Sequence, residues 1–222
     1  MGHTVAKDIY GALGEKIDSL SVRTPQTRAF YAMLRQLYSP EEAELIVAMP
    51  FRLSKLDRIA RVTGRKPDEI RPMLDRLCDK GLIVDVDLGG SYYYMLAPFV
   101  IGIFEFTMMR MDSADKDIGE ISKLFVDYLD DGQFYAANFG DGQQVSIARA
   151  LPFLDHLGDH VEIFDYEKVD QIIEEADMFS LSNCSCRHKK HHAGGEACKV
   201  PLETCTSFGK AAEYLVRHGA AG

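Results

Sequence analysis

The strongest constraint on the fold is a change in hydrophobic periodicity near residue 82. Between residues 8 and 80, apolar side chains recur every three or four positions, which is typical of amphipathic helices. Between residues 82 and 96 they alternate with polar side chains on either side of Gly89-Gly90, which predicts a β-hairpin. A run of helices followed by a hairpin predicts an α+β fold.

The helical part contains clear start and stop signals. Ser39-Pro40 followed by Glu42 is typical of a capping box, and Lys80-Gly81 is typical of a helix end. Pro25 is suited to the first position of a helix. The pattern predicts helices at 8–20, 24–37, 39–48, 54–62 and 67–80.

The order of elements in 39–97, three helices and then a two-stranded hairpin, resembles a winged helix-turn-helix. The apolar stretch 99–109 after it is predicted to be a buried helix. We therefore expect N-terminal helices in 1–38 and a winged-helix-like domain with its following apolar helix in 39–110. A small mixed α/β domain with a cysteine-rich metal loop is expected in 111–222.

The expected mixed α/β domain, 111–222, contains shorter predicted helices and strands. A helix is predicted at 117–129, and short strands are predicted at 144–151, 161–164 and 178–181. Further helices are predicted at 165–176 and 207–218.

Charge and hydropathy narrow the classes of partner. The formal net charge is -9, which disfavours nucleic acid because its phosphate backbone is also negative. The candidate recognition helix at 67–80 is nearly neutral, and the wing carries Asp85 and Asp87. DNA binding is therefore disfavoured, and a protein-interaction role of the winged region is favoured.

The most apolar run, 95–109, is too short to cross a bilayer, and a secretory signal is not visible, so we expect a cytoplasmic protein without membrane insertion.

Four of the five cysteines lie close together near the C-terminus, in the pattern Cys-x-Cys-x11-Cys-x6-Cys: Cys184, Cys186, Cys198 and Cys205. Four thiolates can hold either a zinc ion or a 4Fe-4S cluster. The spacing is neither that of the common zinc ribbon nor that of the bacterial ferredoxin run. The pattern therefore predicts a metal centre and leaves open whether it holds iron–sulfur or zinc.

Three other interpretations of these residues compete with an all-cysteine site. The cysteines could be buried structural thiols or disulfides, and His188, His191 or His192 could replace a cysteine as a ligand. Cys78 lies far from the group, on the helix predicted at 67–80, and is expected to be a small core or surface thiol.

The segment 187–192, Arg-His-Lys-Lys-His-His, is the most basic stretch of an acidic chain. Because a site of four thiolates is negative overall, we expect this segment to form a loop that offsets the charge of the site. The alternative is a solvated basic loop at the surface. Cys205 is expected just before the helix at 207–218, where backbone N–H groups favour a thiolate.

The cysteine region resembles a family of anaerobic-bacterial 4Fe-4S ferredoxin-type proteins with a winged-helix-like region before the cysteines. The likeness is carried by 181–187 (Leu-Ser-Asn-Cys-Ser-Cys-Arg), by Cys198 and Cys205, and by Phe208-Gly209. It extends upstream to 39–44, 81–83 and 94–105. The resemblance implies that the four cysteines bind the cluster, with Arg187, Phe208 and Gly209 beside it. Members of that family usually continue into a second ferredoxin module, so two-cluster electron transfer is not expected of these 222 residues alone.

These observations predict an iron–sulfur protein of the 4Fe-4S type that acts in electron transfer or redox sensing, as an accessory component of a larger redox system. The alternative is a zinc-binding winged-helix transcriptional regulator. Intrinsic catalysis is not expected, because the chain lacks a recognisable catalytic triad, phosphate loop or nucleotide fingerprint. A protein redox partner is expected, and the sequence is compatible with a homodimer.

Overall fold

The computed structural model describes residues 8–110, 117–139, 174–196 and 199–222. These residues form a mixed α+β fold that is rich in helix and contains two small sheets. The helices are α1 (Ile9–Asp18), α2 (Arg28–Leu37), α3 (Pro40–Ala48), α4 (Leu56–Thr63), α5 (Pro67–Asp79), α6 (Phe104–Arg110), α7 (Ile118–Asp130), α8 (Gln133–Phe139), α9 (Ser185–His192) and α10 (Gly209–Arg217). The strands are β1 (Ser54–Lys55), β2 (Ile83–Asp87), β3 (Tyr92–Leu96), β4 (Phe179–Asn183) and β5 (Glu203–Phe208).

The predicted capping box at the start of α3 is confirmed. The Ser39 N–H donates to Glu42 Oε2 at 2.8 Å, and the Glu42 N–H donates to Ser39 Oγ at 3.2 Å. The predicted start of α2 at Pro25 is wrong, because the helix begins three residues later. There the Thr27 hydroxyl accepts the Phe30 N–H, which a proline side chain cannot do.

The predicted hairpin is confirmed as β2 and β3, which pair antiparallel from Ile83↔Leu96 to Asp87↔Tyr92. Its turn uses Gly89 and Gly90 at φ +64° and +81°, a conformation that favours glycine. Residues 54 and 55 were predicted to begin a helix, but they form β1, which pairs with β3 and gives the sheet order β1-β3-β2.

The prediction of one continuous helix at 99–109 is wrong in its first half. Val100, Ile101 and Gly102 have non-helical backbone angles, and regular helix begins at Phe104. Glycine and β-branched residues are weak helix formers, so tertiary packing decides their conformation. The Glu105 carboxylate then accepts the Gly102 N–H at 2.8 Å, just ahead of α6.

Phe99, the first residue of the segment 99–103, lies in the centre of the core. Its ring centroid lies 5.8 Å from Phe30 of α2, 5.0 Å from Tyr128 of α7 and 5.6 Å from Phe134 of α8. Buried apolar side chains form one cluster that draws on all three predicted parts of the chain. The division into domains stays a prediction.

Several other expectations have definite outcomes. The helix predicted at 117–129 is confirmed as α7, whereas α8 was not predicted. The strands predicted at 144–151 and 161–164, and most of the helix predicted at 165–176, lie outside the described residues. None of the described helices is long and apolar enough to span a lipid bilayer.

Lys16 is a buried cation that caps the C-terminus of α3. Its ammonium group donates to the carbonyl oxygens of Val47, at 3.0 Å, and of Met49. Because the last carbonyls of a helix lack partners inside the helix, this side chain satisfies groups that would otherwise be buried unpaired. It also lies over the ring of Phe51, 4.7 Å from the centroid.

The burial of Lys16 predicts a pH-dependent stability. Burial lowers its pKa to about 8, from 10.5 in an exposed lysine. Between these pH values the unfolded chain binds more protons than the folded chain, so this group makes the free energy of unfolding rise with pH. We expect wild type to gain stability relative to Lys16→Met as the pH rises through that window, measured by urea denaturation at each end.

The matched control for this prediction is Lys66→Met, since the Lys66 side chain is exposed. Its stability should follow wild type across the same pH values. Parallel curves for wild type and Lys16→Met would contradict the prediction.

Candidate metal centre

The cysteines lie around a two-stranded sheet near the C-terminus. Strands β4 and β5 pair antiparallel, with Phe179 opposite Phe208 and Ser182 opposite Cys205. The Cys184 N–H donates to the Leu202 carbonyl at 2.7 Å and so ties the end of β4 to the residue before β5. This pairing brings two separated parts of the cysteine pattern to one end of the sheet.

The first cysteine pair belongs to a helix and not to the expected loop. Cys184 is the N-cap of α9, and Cys186 is in its first turn. The basic residues predicted to form a solvated loop make up most of this helix. Lys189, Lys190 and the two histidines after them occupy its last turn, where positive charge is favoured by the helix dipole.

Cys205 was expected just before a helix, and this is also wrong. It lies inside β5, and α10 begins only at Gly209. The Ser182 hydroxyl donates to the Cys205 carbonyl at 3.2 Å across the strand pair. The expected stabilisation of a thiolate by a helix N-terminus applies instead to Cys184.

The three described thiols of the cluster influence one another electrostatically. Burial raises the pKa of Cys186 and of Cys205, and the charge of Cys184 raises both further. Burial alone would also raise the pKa of Cys184. Hydrogen bonding from the backbone N–H and the guanidinium of Arg187, together with the Cys186 N–H, lowers it on balance. Cys184 is therefore the thiol that ionises most readily, next to two others.

Arg187 connects the two halves of the site. Its guanidinium donates to the Pro201 carbonyl at 2.8 Å, just before β5, and to Thr204 Oγ1 in the first residues of β5. The same group favours the Cys184 thiolate. Arg187 therefore holds the segment before Cys205 against the helix that carries Cys184, and its role beside a cofactor stays a prediction.

Glu105 is a residue at the site that sequence reasoning missed. Its carboxylate is largely buried in the first turn of α6, and its charge raises the pKa of both Cys186 and Cys205. Burial raises its own pKa, and the hydrogen bond from the Gly102 N–H opposes that effect. The available signal was a single acidic residue within the most apolar run of the chain.

The three histidines of α9 have unequal environments. His188 is buried, and its Nδ1–H donates to the Met108 carbonyl at 2.7 Å, which fastens α9 to α6. His192 stacks edge-on against His188, with ring centroids 4.7 Å apart, and burial lowers its pKa. His191 is exposed. The interpretation of the whole segment as solvated is thus wrong for His188.

A pocket of about 460 Å³ opens beside Cys186. It lies between Val126 and Asp130 of α7 and Lys189 and Lys190 of α9. Lys189 also lies over the ring of Phe104, 5.6 Å from the centroid. The pocket leaves open space beside Cys186, and the positive charges of Lys189 and Lys190 lie along one side of it.

The remaining predicted site residues lie at the other end of the strand pair. Phe208 ends β5 opposite Phe179, and Gly209 begins α10 at φ +58°. The Gly209 N–H donates to the Met178 carbonyl at 2.8 Å. These contacts explain the pair as the turn from strand to helix, and their cofactor role stays a prediction.

Cys198 lies outside the described residues, so its place relative to the other three thiols stays a prediction. Cys184, Cys186, Cys205 and the distant Cys78 are all free thiols. The chain matches no protein-family model, no curated protein and no solved structure.

Proposed function

We propose that this chain binds an iron–sulfur cluster of the 4Fe-4S type and acts in electron transfer or redox sensing. Cys184, Cys186 and Cys205 are the ligands among the described residues, and Cys198 is the fourth. The single observation that carries the proposal is the gathering of three free thiols at the junction of α9 and β5. Thiolates are the ligands that iron–sulfur clusters prefer.

The negative charge around the thiols supports the binding of a positively charged metal centre. The charges of Cys184 and Glu105 raise the pKa of Cys186 and of Cys205. Such repulsion between acidic groups is relieved when a cation binds between them, because it favours their ionised forms. Arg187 contributes the opposite charge at one ligand and limits the net negative charge of the loaded site.

The preference for a cluster over a single zinc ion rests on the sequence. Residues 181–187, Cys198, Cys205 and Phe208-Gly209 resemble 4Fe-4S ferredoxin-type proteins, and the cysteine spacing is not that of the common zinc ribbon.

The exposure of Cys186 supports exchange of electrons with a partner. Cys186 is the exposed residue of the three, so a bound cluster would have one edge near the surface. When bound, such a cluster accepts and releases single electrons. The residues of the chain hold it, tune its charge through Arg187 and Lys189, and leave that edge accessible to a protein redox partner.

The winged-helix interpretation of 39–97 belongs to the same proposal. Its support is the order α3, α4, α5, β2 and β3 with an additional short strand at β1. We propose a protein-interaction role for this region. One argument against DNA binding is weaker than the sequence suggested, because Asp85 is buried and does not present its charge on the wing.

The test is anaerobic purification followed by absorption spectroscopy and assays of iron, sulfide and zinc. We expect about four irons and four sulfides for each chain, with visible absorption that bleaches on reduction by dithionite. Zinc that is lost when the four clustered cysteines are replaced by serine, with no sulfide in wild type, would reject the cluster and favour the zinc-binding regulator. Failure of these cysteines to take up either iron and sulfide or zinc on anaerobic reconstitution would reject both.

A further inference from the structure

A second group of potential ligands lies apart from the cysteine cluster, where α10 packs against α5 and β2. One ligand atom from each of Cys78, Asp85 and His218 lies within 4.8 Å of the other two. Cys78 and Asp85 are buried, with exposed fractions of 1% and 5%, and the side chain of His218 is 9% exposed. A sulfur, a carboxylate oxygen and an imidazole nitrogen are the three donor types that zinc uses in proteins.

The orientation of His218 is that of a metal-ligating histidine. Its Nδ1 lies 2.7 Å from Asp79 Oδ1, and its Nε2 lies 2.9 Å from Asp85 Oδ1. Histidines that bind metals usually donate one ring N–H to a carboxylate, which fixes the ring and leaves the other nitrogen for the metal. Here Asp79 is the orienting carboxylate, and Nε2 faces Asp85.

The three residues come from separate elements, and the backbone around them is held in place. Cys78 belongs to α5, Asp85 to β2, and His218 follows the last residue of α10. The Tyr214 hydroxyl lies 3.0 Å from the Cys78 carbonyl and 2.9 Å from the Ile83 carbonyl, next to two of these elements. The group is therefore preorganised by packing and does not depend on a mobile loop.

The charges in the group balance both with and without a divalent cation. Without one, the His218 imidazolium and Arg217 offset Asp79 and Asp85, and Cys78 is a neutral thiol. A divalent cation replaces two protons, one from Cys78 Sγ and one from His218 Nε2, and the group stays neutral overall. Arg217 lies 2.6 Å from Asp85 Oδ1 and remains as a partner of that carboxylate.

We propose that Cys78, Asp85 and His218 form a metal site for zinc or a similar divalent cation, with Asp79 as the positioning residue for His218. Water completes the coordination of a site with three protein ligands. The site would fasten α10 to α5 and β2. It does not depend on the iron–sulfur proposal, since the two groups share no residue.

The competing explanation is an ion-pair network that docks α10 without metal. Hydrogen bonds from His218 to Asp85 and Asp79 and the pair of Arg217 with Asp85 would suffice for that role. The thiol of Cys78 separates the two explanations, because a network of ion pairs does not use it. Binding that requires Cys78 is therefore the decisive observation.

The test uses the full chain with Cys184, Cys186, Cys198 and Cys205 replaced by serine, so that Cys78 is the one cysteine left. We expect this variant to bind one equivalent of Co²⁺ with a thiolate-to-metal charge-transfer band, and Zn²⁺ to displace it. Cys78→Ala in this background should abolish the band. Asp79→Asn should weaken binding about 10–100-fold through loss of the orienting carboxylate.

Asp87→Asn is the matched control, because Asp87 lies on the same strand as Asp85 but outside the group. Its affinity for Co²⁺ should equal that of the background. A folded background variant that gives no charge-transfer band overturns the proposal, as does a band that survives Cys78→Ala.

A second measurement serves if the serine background does not fold. Wild-type protein is purified anaerobically with its other metal content intact, and its tightly bound zinc is measured after dialysis against ZnCl₂ and then against buffer. We expect one zinc for each chain in wild type and none in Cys78→Ala, with equal iron in both. Equal zinc in the two proteins overturns the proposal.

Discussion

Replacing Cys184 or Cys205 with serine should remove most of the iron and sulfide from anaerobically purified protein. A thiolate is a far better ligand for these ions than a hydroxyl, and each residue occupies a separate element of the site. The same loss is expected for serine at Cys186 or Cys198. Iron and sulfide assays, together with the visible absorption of each variant, measure the effect.

Cys78→Ala is the matched control for these variants, because it removes a cysteine that lies outside the cluster. Its iron content should equal that of wild type. Full iron occupancy in the variant with all four clustered cysteines changed to serine would contradict the assignment of the ligands. Loss of iron in His191→Gln and His192→Gln combined, which leave the His188 bond to Met108 in place, would show that a histidine is a ligand.

The sequence was sufficient for the elements whose signals are local. The capping box at Ser39 and the Gly89-Gly90 turn each carry their own hydrogen-bonding or dihedral requirement. Amphipathic periodicity likewise located α1, α5 and α7 within a few residues. These features are decided by residues that are near one another in the chain.

The candidate site could be predicted only as a set of cysteines, because its geometry depends on tertiary contacts. Helix α9 has a strongly polar sequence, and its contact with α6 through His188 is not visible in periodicity. Cys205 lies in a strand because β5 pairs with β4, about twenty residues earlier. Glu105 reaches the thiols only because 99–103 is not helical and α6 begins at Phe104.

The group formed by Cys78, Asp85 and His218 could not be predicted from the local sequence pattern. Asp85 alternates with apolar residues in a hairpin strand, a pattern that predicts an exposed side chain on a half-buried strand. The structure buries it instead, because α10 covers that face and supplies Arg217 and His218 as partners. A contact between residues 85 and 218 cannot be inferred from the period of either segment.

Phe99→Ala should destabilise the fold by about 3–5 kcal/mol, the usual cost of removing a fully buried phenylalanine ring. Phe99 is 0% exposed, and its ring contacts aromatic side chains from α2, α7 and α8. Its removal leaves a cavity that these helices cannot fill without shifting towards one another. Urea denaturation of the two proteins at equal metal content measures the difference in the free energy of unfolding.

Phe179→Ala is the control for residue type, because that phenylalanine is 65% exposed and should change stability by about 0.5 kcal/mol or less. Phe99→Leu tests the reason for the effect, since leucine refills part of the cavity but cannot restore the edge-to-face ring contacts. It should therefore lie between wild type and Phe99→Ala. A loss below about 1 kcal/mol for Phe99→Ala would mean that the aromatic cluster repacks around the missing ring. In that case α2, α7 and α8 would not be joined through Phe99.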